Sequence, residues 1–149
     1  MPARDFYHDL VVKGLEQEGW KITDDPLRLT FGRRNLFVDL GAEKGILGAV
    51  RGDHLIAVEI KGFAGPSDMK ELEGALGQYI LYRDILKRKD PQRLLYLAIP
   101  NYAFEAVFAD ELGELIVEEQ GLRLLVFDPN QEKPLQWIPQ LETEKPSLS

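Results

Sequence analysis

The segment LIAVEIK carries a glutamate and a lysine two residues apart within an apolar run. Side chains alternate between the two faces of a β-strand, so Glu59 and Lys61 are expected on one face, roughly 7 Å apart along the backbone. Ile56, Val58 and Ile60 then point to the other face. Alone, such a pair is most often a solvated ion pair, because short motifs match many unrelated sequences. A functional interpretation therefore depends on what lies beside it.

Asp39 supplies a second carboxylate, in the preceding apolar segment LFVDL. A carboxylate among apolar neighbours is costly unless a cation or a hydrogen-bond donor meets it. If the two segments are consecutive strands of one meander, Asp39 and Glu59 converge and can share one Mg²⁺ or Mn²⁺, which takes oxygen ligands and keeps waters for a phosphate and a nucleophile. Lys61 could then orient or deprotonate a water, or stabilise negative charge developing on phosphorus.

The segments that must position these residues alternate between helical and strand-like patterns. We predict helices over Asp5–Glu18, Pro66–Lys89 and Tyr102–Gln120, and strands over Leu27–Phe31, Leu36–Leu40, Leu55–Lys61, Arg93–Ile99 and Leu122–Asp128. The order α-β-β-β-α-β-α-β predicts an α/β (α+β) fold in which helices flank a mixed sheet. We expect one domain over residues 1–139 and a loose C-terminal tail over 140–149.

Two glycines interrupt the long predicted helix, Gly74 and Gly77. Glycine lowers helical propensity, so these positions indicate that another segment packs closely there. On the same helix, Gln78 and Tyr82 are four residues apart and share one side.

Composition restricts the class of protein. The chain has 149 residues, of which 44% are hydrophobic, enough for one domain with a core. No cysteine is present, which excludes disulfides and thiolate metal sites, and no signal-peptide pattern opens the sequence, so a cytoplasmic protein is expected. The apolar runs are shorter than the ~20 residues that cross a bilayer. A net charge of −7 argues against non-specific coating of nucleic acid.

Two short basic clusters are candidates for a local patch that binds nucleic acid. One is Arg33 with Arg34, and the other is Lys87 with Arg88 and Lys89. Most clusters of this kind are solvated surface, and that is the simpler interpretation here.

The glycine-rich segment KGFAGPS follows Lys61. Unpaired N–H groups at a helix N-terminus attract anions, so a phosphate cradle is one interpretation. The segment lacks G-K-[ST], and we interpret it as a tight strand-to-helix turn, with contact to a DNA phosphate left open. The larger aromatic residues are expected to pack in or around the core: Tyr96, Phe104, Phe108, Phe127 and Trp137.

An aspartate ending one strand, E-x-K on the next and Q-x-x-x-Y on the following helix resemble the PD-(D/E)XK nuclease superfamily, including its RecB-like branch. Longer segments resemble the XisH family, named for a factor controlling excision of the fdxN element in cyanobacteria: MPARDFYHDLVVKGLEQEGWKITDDP, VDLGAEK, AVEIKGFAGPSD, LEGALGQYILYRDIL and LLVFDP…QWIP. The second resemblance covers nearly all of residues 1–139 and is far more specific than E-x-K alone.

The resemblance implies a restriction-endonuclease-like fold and a set of site residues. Asp39 and Glu59 would be metal ligands for Mg²⁺ or Mn²⁺, and Lys61 the catalytic lysine. Gln78 and Tyr82 would contact nucleic acid or the site from the helix.

The superfamily often adds a carboxylate from the first helix, and here the sequence departs from it. His8 lies beside an apolar stripe, so its ring is expected to face the sheet where that carboxylate would lie. A lone helical histidine is more often a hydrogen-bonded packing residue, so His8 is a second-tier candidate. Glu16, two turns later, is another.

The implied function is a DNA-element excision controlling factor with a metal-dependent nuclease-like site. Its expected partners are DNA, a recombinase or small companion excision factor, and a second copy in a homodimer, because cutting a duplex needs two sites. The alternative is a non-catalytic interaction protein of nuclease fold that binds the recombinase or companion.

Overall fold

A computed structural model of the chain describes residues 3–45 and 54–140. The helices are α1 (Ala3–Gln17), α2 (Asp68–Lys89), α3 (Asn101–Ala103), which continues into a π-helical turn (Phe104–Phe108), and α4 (Glu111–Gln120). The strands are β1 (Lys21–Asp24), β2 (Leu27–Phe31), β3 (Arg34–Val38), β4 (Leu40–Lys44), β5 (His54–Ile60), β6 (Arg93–Pro100), β7 (Leu124–Phe127) and β8 (Gln136–Ile138). The predicted tail, 140–149, lies outside the described residues from position 141 onwards.

Six strands form one mixed sheet in the order β1-β4-β5-β6-β7-β8. The central strands β5, β6 and β7 are parallel, and the outer pairs β1–β4, β4–β5 and β7–β8 are antiparallel. Parallel neighbours require a crossover, which α2 provides between β5 and β6. The prediction of a mixed sheet flanked by helices is confirmed.

The remaining two strands form a separate antiparallel ribbon, β2–β3. The predicted hairpin is therefore correct, but the predicted three-strand meander is wrong. LFVDL is not one strand, since β3 ends at Val38 and β4 begins at Leu40. The chain leaves the ribbon and enters the sheet at Asp39. There the Asp39 carboxylate accepts the backbone N–H of Ile60, at the end of β5.

The structure differs from the predicted elements in three further places, and each difference has a local cause. The short edge strands β1 and β8 were not predicted, because four and three residues are too few for a periodic pattern and β8 lies among prolines. The predicted helix over Tyr102–Gln120 is interrupted at Ala109 and Asp110. There the Asp110 side chain accepts the Gly113 backbone N–H at 2.9 Å and starts α4 as a new helix.

Apolar side chains pack on both faces of the sheet, and β5 shows the alternation most clearly. Ala57 belongs to the core under α2 and the ribbon, whereas Ile56 and Val58 belong to the core under α1. The expected split of side chains along LIAVEIK is thus confirmed for its apolar members. The aromatic residues predicted to pack also do so, with Tyr96, Phe108 and Phe127 buried and Phe104 and Trp137 partly buried.

Helix α2 begins at Asp68, two residues after the predicted start at Pro66, and ends at Lys89 as predicted. Ser67 is its N-cap, and the Ser67 hydroxyl oxygen accepts the Lys70 backbone N–H at 3.2 Å. The prediction of close packing at Gly74 and Gly77 is wrong within the described part of the chain, since a Cβ at either position would have no neighbour within 4 Å. Among the described helices, none is long and apolar enough to cross a membrane.

These two helical glycines generate a stability prediction. Alanine at position 77 fills open space and removes backbone freedom from the unfolded chain, so Gly77→Ala should raise the free energy of unfolding by about 0.5–1 kcal/mol in urea titrations. Gly113→Ala is the matched contrast, because its Cβ would collide with the Phe108 backbone, and it should destabilise by about 1–3 kcal/mol. Equal effects of the two substitutions would contradict the described packing.

Candidate functional site

A cleft of about 570 Å³ opens at the C-terminal end of β5. It is lined by residues of α1, the ribbon, the β3–β4 junction, the end of β5 with the loop that follows, and α2. All five residues of the predicted site that lie beyond α1 contribute to this lining: Asp39, Glu59, Lys61, Gln78 and Tyr82. The fold thus brings them together from three separate parts of the chain.

Asp39 and Glu59 are held by reciprocal hydrogen bonds between backbone and side chain. The Asp39 backbone N–H donates to Glu59 Oε1 at 3.2 Å, and the Ile60 backbone N–H donates to Asp39 Oδ2 at 2.8 Å. The β4–β5 register explains this exchange, because Leu40 pairs with Val58 and the next step in the antiparallel ladder brings Asp39 level with Glu59. The two carboxylates converge on one cleft, as the spacing predicts.

Glu59 is unusual in its burial. It is the one charged residue in the buried class among residues 6–45 and 54–140, with 8% of its surface exposed. Burial of a carboxylate is costly unless donors or a cation accompany it. The Asp39 N–H supplies a donor, and the Lys61 ammonium lies 3.9 Å from Glu59 Oε2.

Lys61 follows directly after β5 and stays fixed to the sheet. Its backbone N–H donates to the Ala98 carbonyl of β6 at 2.9 Å. Its side chain is about one-third exposed and lines the cleft beside Glu59. At this position the ammonium can meet an anionic group that enters the cleft while remaining near the carboxylates.

Gln78 and Tyr82 reach the cleft from α2. The Gln78 side-chain N–H donates to the Tyr82 hydroxyl oxygen at 3.3 Å. Burial, followed by the negative charges of Glu59 and Asp39, raises the pKa of the Tyr82 hydroxyl, which therefore stays protonated. The Gln78 side-chain oxygen is buried and has no hydrogen-bond partner within the described part of the structure.

The donor set fits Mg²⁺ or Mn²⁺ in chemistry. Both cations prefer oxygen ligands, and Mg²⁺ is commonly bound through one or two carboxylates plus substrate phosphate and water. Asp39 and Glu59 are two such carboxylates on adjacent strands. Across the described residues there is no cluster of three or more histidine, cysteine, aspartate or glutamate side chains that could hold a metal alone. A cation here would need ligands from water or substrate.

Two tyrosines that the sequence analysis did not single out support the loop after Lys61. The Tyr102 hydroxyl donates to the Gly62 carbonyl at 2.6 Å and lies 3.0 Å from the Tyr7 hydroxyl. Burial and the Tyr7 hydroxyl raise the pKa of Tyr102 to about 12. The Tyr7 ring packs so closely that a Cβ on Gly62 would meet it at 3.0 Å. No motif in the sequence distinguishes Tyr7 or Tyr102 from other aromatic residues.

The segment KGFAGPS forms the strand-to-helix turn that its composition predicts. Phe63 adopts a left-handed backbone conformation, φ 54°, which is unfavourable for a bulky residue. Its buried ring packs edge-on against Phe108, with centroids 6.1 Å apart, and this contact holds the turn. Glu71 of α2 lies against Gly65 and also lines the cleft.

The structure places His8 away from this cleft, contrary to the expectation that its ring faces the site. His8 Nε2 lies 2.9 Å from Asp25 Oδ1, and the cleft lining does not include His8. The physical reason is the contact with Asp25, which holds the His8 ring outside the cleft although Tyr7 of the same helix lines it. Glu16 lies near the exposed end of α1 and is likewise outside the cleft.

Comparisons with known proteins give a family and two solved structures. The XisH protein family matches residues 1–135. A crystal structure of an XisH family protein from Nostoc punctiforme is 37% identical, with a TM-score of 0.78 over 89% of this chain and 98% of that one. An fdxN element excision controlling factor protein from Anabaena variabilis is 38% identical, with a TM-score of 0.79 over 90% and 98%. No curated protein matches the chain.

The raised pKa of Tyr102 predicts a pH dependence. The folded state holds this proton more tightly than the unfolded chain, whose pKa is near 10.0, so the resulting stability is complete below pH 10 and is lost as pH rises towards about 12. The difference in unfolding free energy between wild type and Tyr102→Phe should therefore shrink across that range in urea titrations. A difference that stays constant from pH 9 to about 12 would contradict the raised pKa of Tyr102 and the burial and Tyr7 contact that cause it.

Proposed function

The chain belongs to the XisH family, and from this membership and its cleft we propose an excision controlling factor that acts on DNA through a cation-dependent nuclease-like site. The Anabaena variabilis relative is described as an fdxN element excision controlling factor. The observation that carries the proposal is the pair of reciprocal hydrogen bonds joining Asp39 to Glu59 and Ile60, with Lys61 beside them.

Asp39 and Glu59 would hold the cation, because they are the converging carboxylates at the mouth of the sheet. A bound Mg²⁺ or Mn²⁺ supplies Lewis-acid polarisation of a phosphate and lowers the pKa of a water. The protein's own part is to keep both carboxylates close together, which the backbone donors at Asp39 and Ile60 favour.

Lys61 would act on the phosphate. Its ammonium is near enough to Glu59 to be oriented, at 3.9 Å, but too far for a tight ion pair, so it can turn to an entering phosphate oxygen. Gln78 and Tyr82 would contact the nucleic acid from α2, with the neutral phenol offering a donor that the Gln78 amide orients.

An interaction protein of the same fold is the second candidate. The net charge of −7 opposes DNA binding by this chain alone and favours help from a partner such as a recombinase or a small companion factor. Exposed apolar side chains remote from the cleft, including Leu81 and Leu115, offer surface for such a partner.

The cation proposal predicts a metal-dependent melting temperature. Mg²⁺ or Mn²⁺ should raise the melting temperature by mass action. At a cation concentration a hundred times Kd, the free energy of unfolding should increase by about 2.7 kcal/mol. Asp39→Asn should remove most of that rise, since the amide keeps an acceptor for the Ile60 N–H but loses the charge. Asp9→Asn, an exposed α1 residue outside the cleft lining, is the matched control and should behave as wild type. Equal rises in all three proteins would refute a cation at Asp39.

The lysine separates the two functions. Lys61→Met should keep the metal-induced rise in melting temperature but lower cleavage of plasmid or branched DNA by on the order of 10²-fold or more, because it removes a group acting on the phosphate and not a ligand. In the interaction-only alternative, wild type and Lys61→Met are both inert on every DNA tested, and excision in cells survives the substitution. Loss of excision in Lys61→Met, with folding and partner binding intact, would exclude that alternative.

A further inference from the structure

A second concave surface lies between α2 and the β2–β3 ribbon, apart from the cleft. This groove has a volume of about 570 Å³ and an apolar floor of Phe31, Leu36, Leu81 and Ile85. Phe31 and Leu81 are 44% and 48% exposed, high values for large apolar side chains. Neither the proposed chemistry nor the core accounts for this exposure.

The groove is basic although the protein is acidic. Arg34 of the ribbon and Arg88 of α2 line it. They bring together the two basic clusters that are far apart in the sequence, and Lys89 lies 6.0 Å from the Phe31 ring centre. Asp84 also lines the groove, but its carboxylate is 3.5 Å from Arg83 Nε, which offsets its charge. The groove therefore suits an apolar ligand that carries negative charge.

The glycines of α2 extend this surface. The four residues Gly74, Gly77, Leu81 and Arg88 follow one another at intervals of three, four and seven residues. They therefore lie on one side of the helix. Among the described residues, nothing comes within 4 Å of a Cβ at either glycine. The absence of side chains there lets the backbone of another helix approach α2 closely. The outer face of α2 from Gly74 to Arg88 is thus shaped for a helix.

A helix of matching chemistry is present in the same chain. Leu112 and Leu115 of α4 are 43% and 50% exposed and lie three residues apart on one side. Glu111, Glu118 and Glu119 surround them and are exposed, and no basic residue occurs in α4. This acidic, apolar ridge is convex where the groove is concave, and the two surfaces are opposite in charge.

Within one molecule the ridge and the groove are separated by α2. Arg83 donates from Nη1 to the Gln120 carbonyl at the end of α4, at 2.7 Å, which holds α4 on the Arg83 side of α2. Arg83 is two residues from Leu81 and hence about 200° around the helix from the groove. The complementary surfaces can meet only between different molecules.

We propose that this chain self-associates by docking α4 of one copy into the groove of a second copy. Leu112 and Leu115 would cover Phe31, Leu81 and the glycines, while the glutamates meet Arg34 and Arg88. The ten residues of α4 span about 15 Å, and the α2 face from Gly74 to Arg88 spans about 21 Å, so the ridge fits along the groove. Because the ridge and the groove lie on opposite sides of α2, the contact is head-to-tail, and its repetition gives a ring if the rotation closes. The proposal does not depend on nuclease activity.

Sedimentation equilibrium of the full chain at low salt tests the proposal. Wild type should exceed the monomer mass at high concentration, and added salt should weaken the association. Reversing the groove charge, Arg34→Glu with Arg88→Glu, or the ridge charge, Glu118→Lys with Glu119→Lys, should each raise the dissociation constant by on the order of a hundredfold. Lys87→Glu changes an exposed residue at the same helix end that does not line the groove, and this variant should associate as wild type.

Mixing the two reversed proteins gives the sharpest result. In each variant alone, the ridge and the groove carry the same charge, so its copies repel one another. Between the two variants, every ridge meets a groove of opposite charge. An equimolar mixture should therefore regain the mass of an assembly that contains both variants. Thermal unfolding of each variant alone checks that it is folded.

Three results would overturn the proposal. These are a wild-type protein that stays monomeric at every concentration, association that the reversals leave unchanged, and a mixture that remains monomeric although each variant is folded. A monomeric protein whose DNA affinity falls in Arg34→Glu/Arg88→Glu would instead identify the groove as a nucleic-acid surface. Failure of the metal or cleavage tests would leave this result unaffected, so the two hypotheses are distinguishable.

Discussion

The exchange of hydrogen bonds at Asp39 is the constraint on which the rest of the site depends. One residue separates the ribbon strand β3 from the sheet strand β4, and its N–H and carboxylate both bind the end of β5. This exchange satisfies backbone groups that a break between strands would otherwise leave without partners. The interaction that keeps the sheet regular also fixes one carboxylate against another.

Electrostatics and packing reinforce one another around this joint. The two carboxylates repel, and only donors or a cation make their proximity tolerable. Lys61 lies near enough to Glu59 to attract it, while Tyr82 stays neutral because burial and the same carboxylates raise its pKa. The wall facing the carboxylates is therefore an uncharged phenol, which adds no further negative charge beside them.

Much of this arrangement could be predicted from sequence. Strict alternation along LIAVEIK determines the faces of β5, and Pro66 predicts the start of α2 to within two residues because proline suits the first turn of a helix. The strand break at Asp39 could not be predicted, since LFVDL reads as one apolar run and only the distant Ile60 N–H reveals the change of partner. Tyr7 and Tyr102 were missed for the same reason, because they meet across 95 positions of sequence.

The β2–β3 ribbon lies between β1 and β4 in the chain but forms no part of their sheet, so the length of its tip does not affect how those strands pair. It leaves after β1 and returns at β4, and these two strands pair directly with one another, so the ladder closes beneath the insertion. Residues at the ribbon tip, around Gly32, can be added or removed without altering that ladder. One residue added beside Asp39 would instead shift β4 against β5 and turn its side chains to the wrong face. Changes in length at the tip would reshape one wall of the groove and leave the carboxylates in place, so the two surfaces can diverge independently.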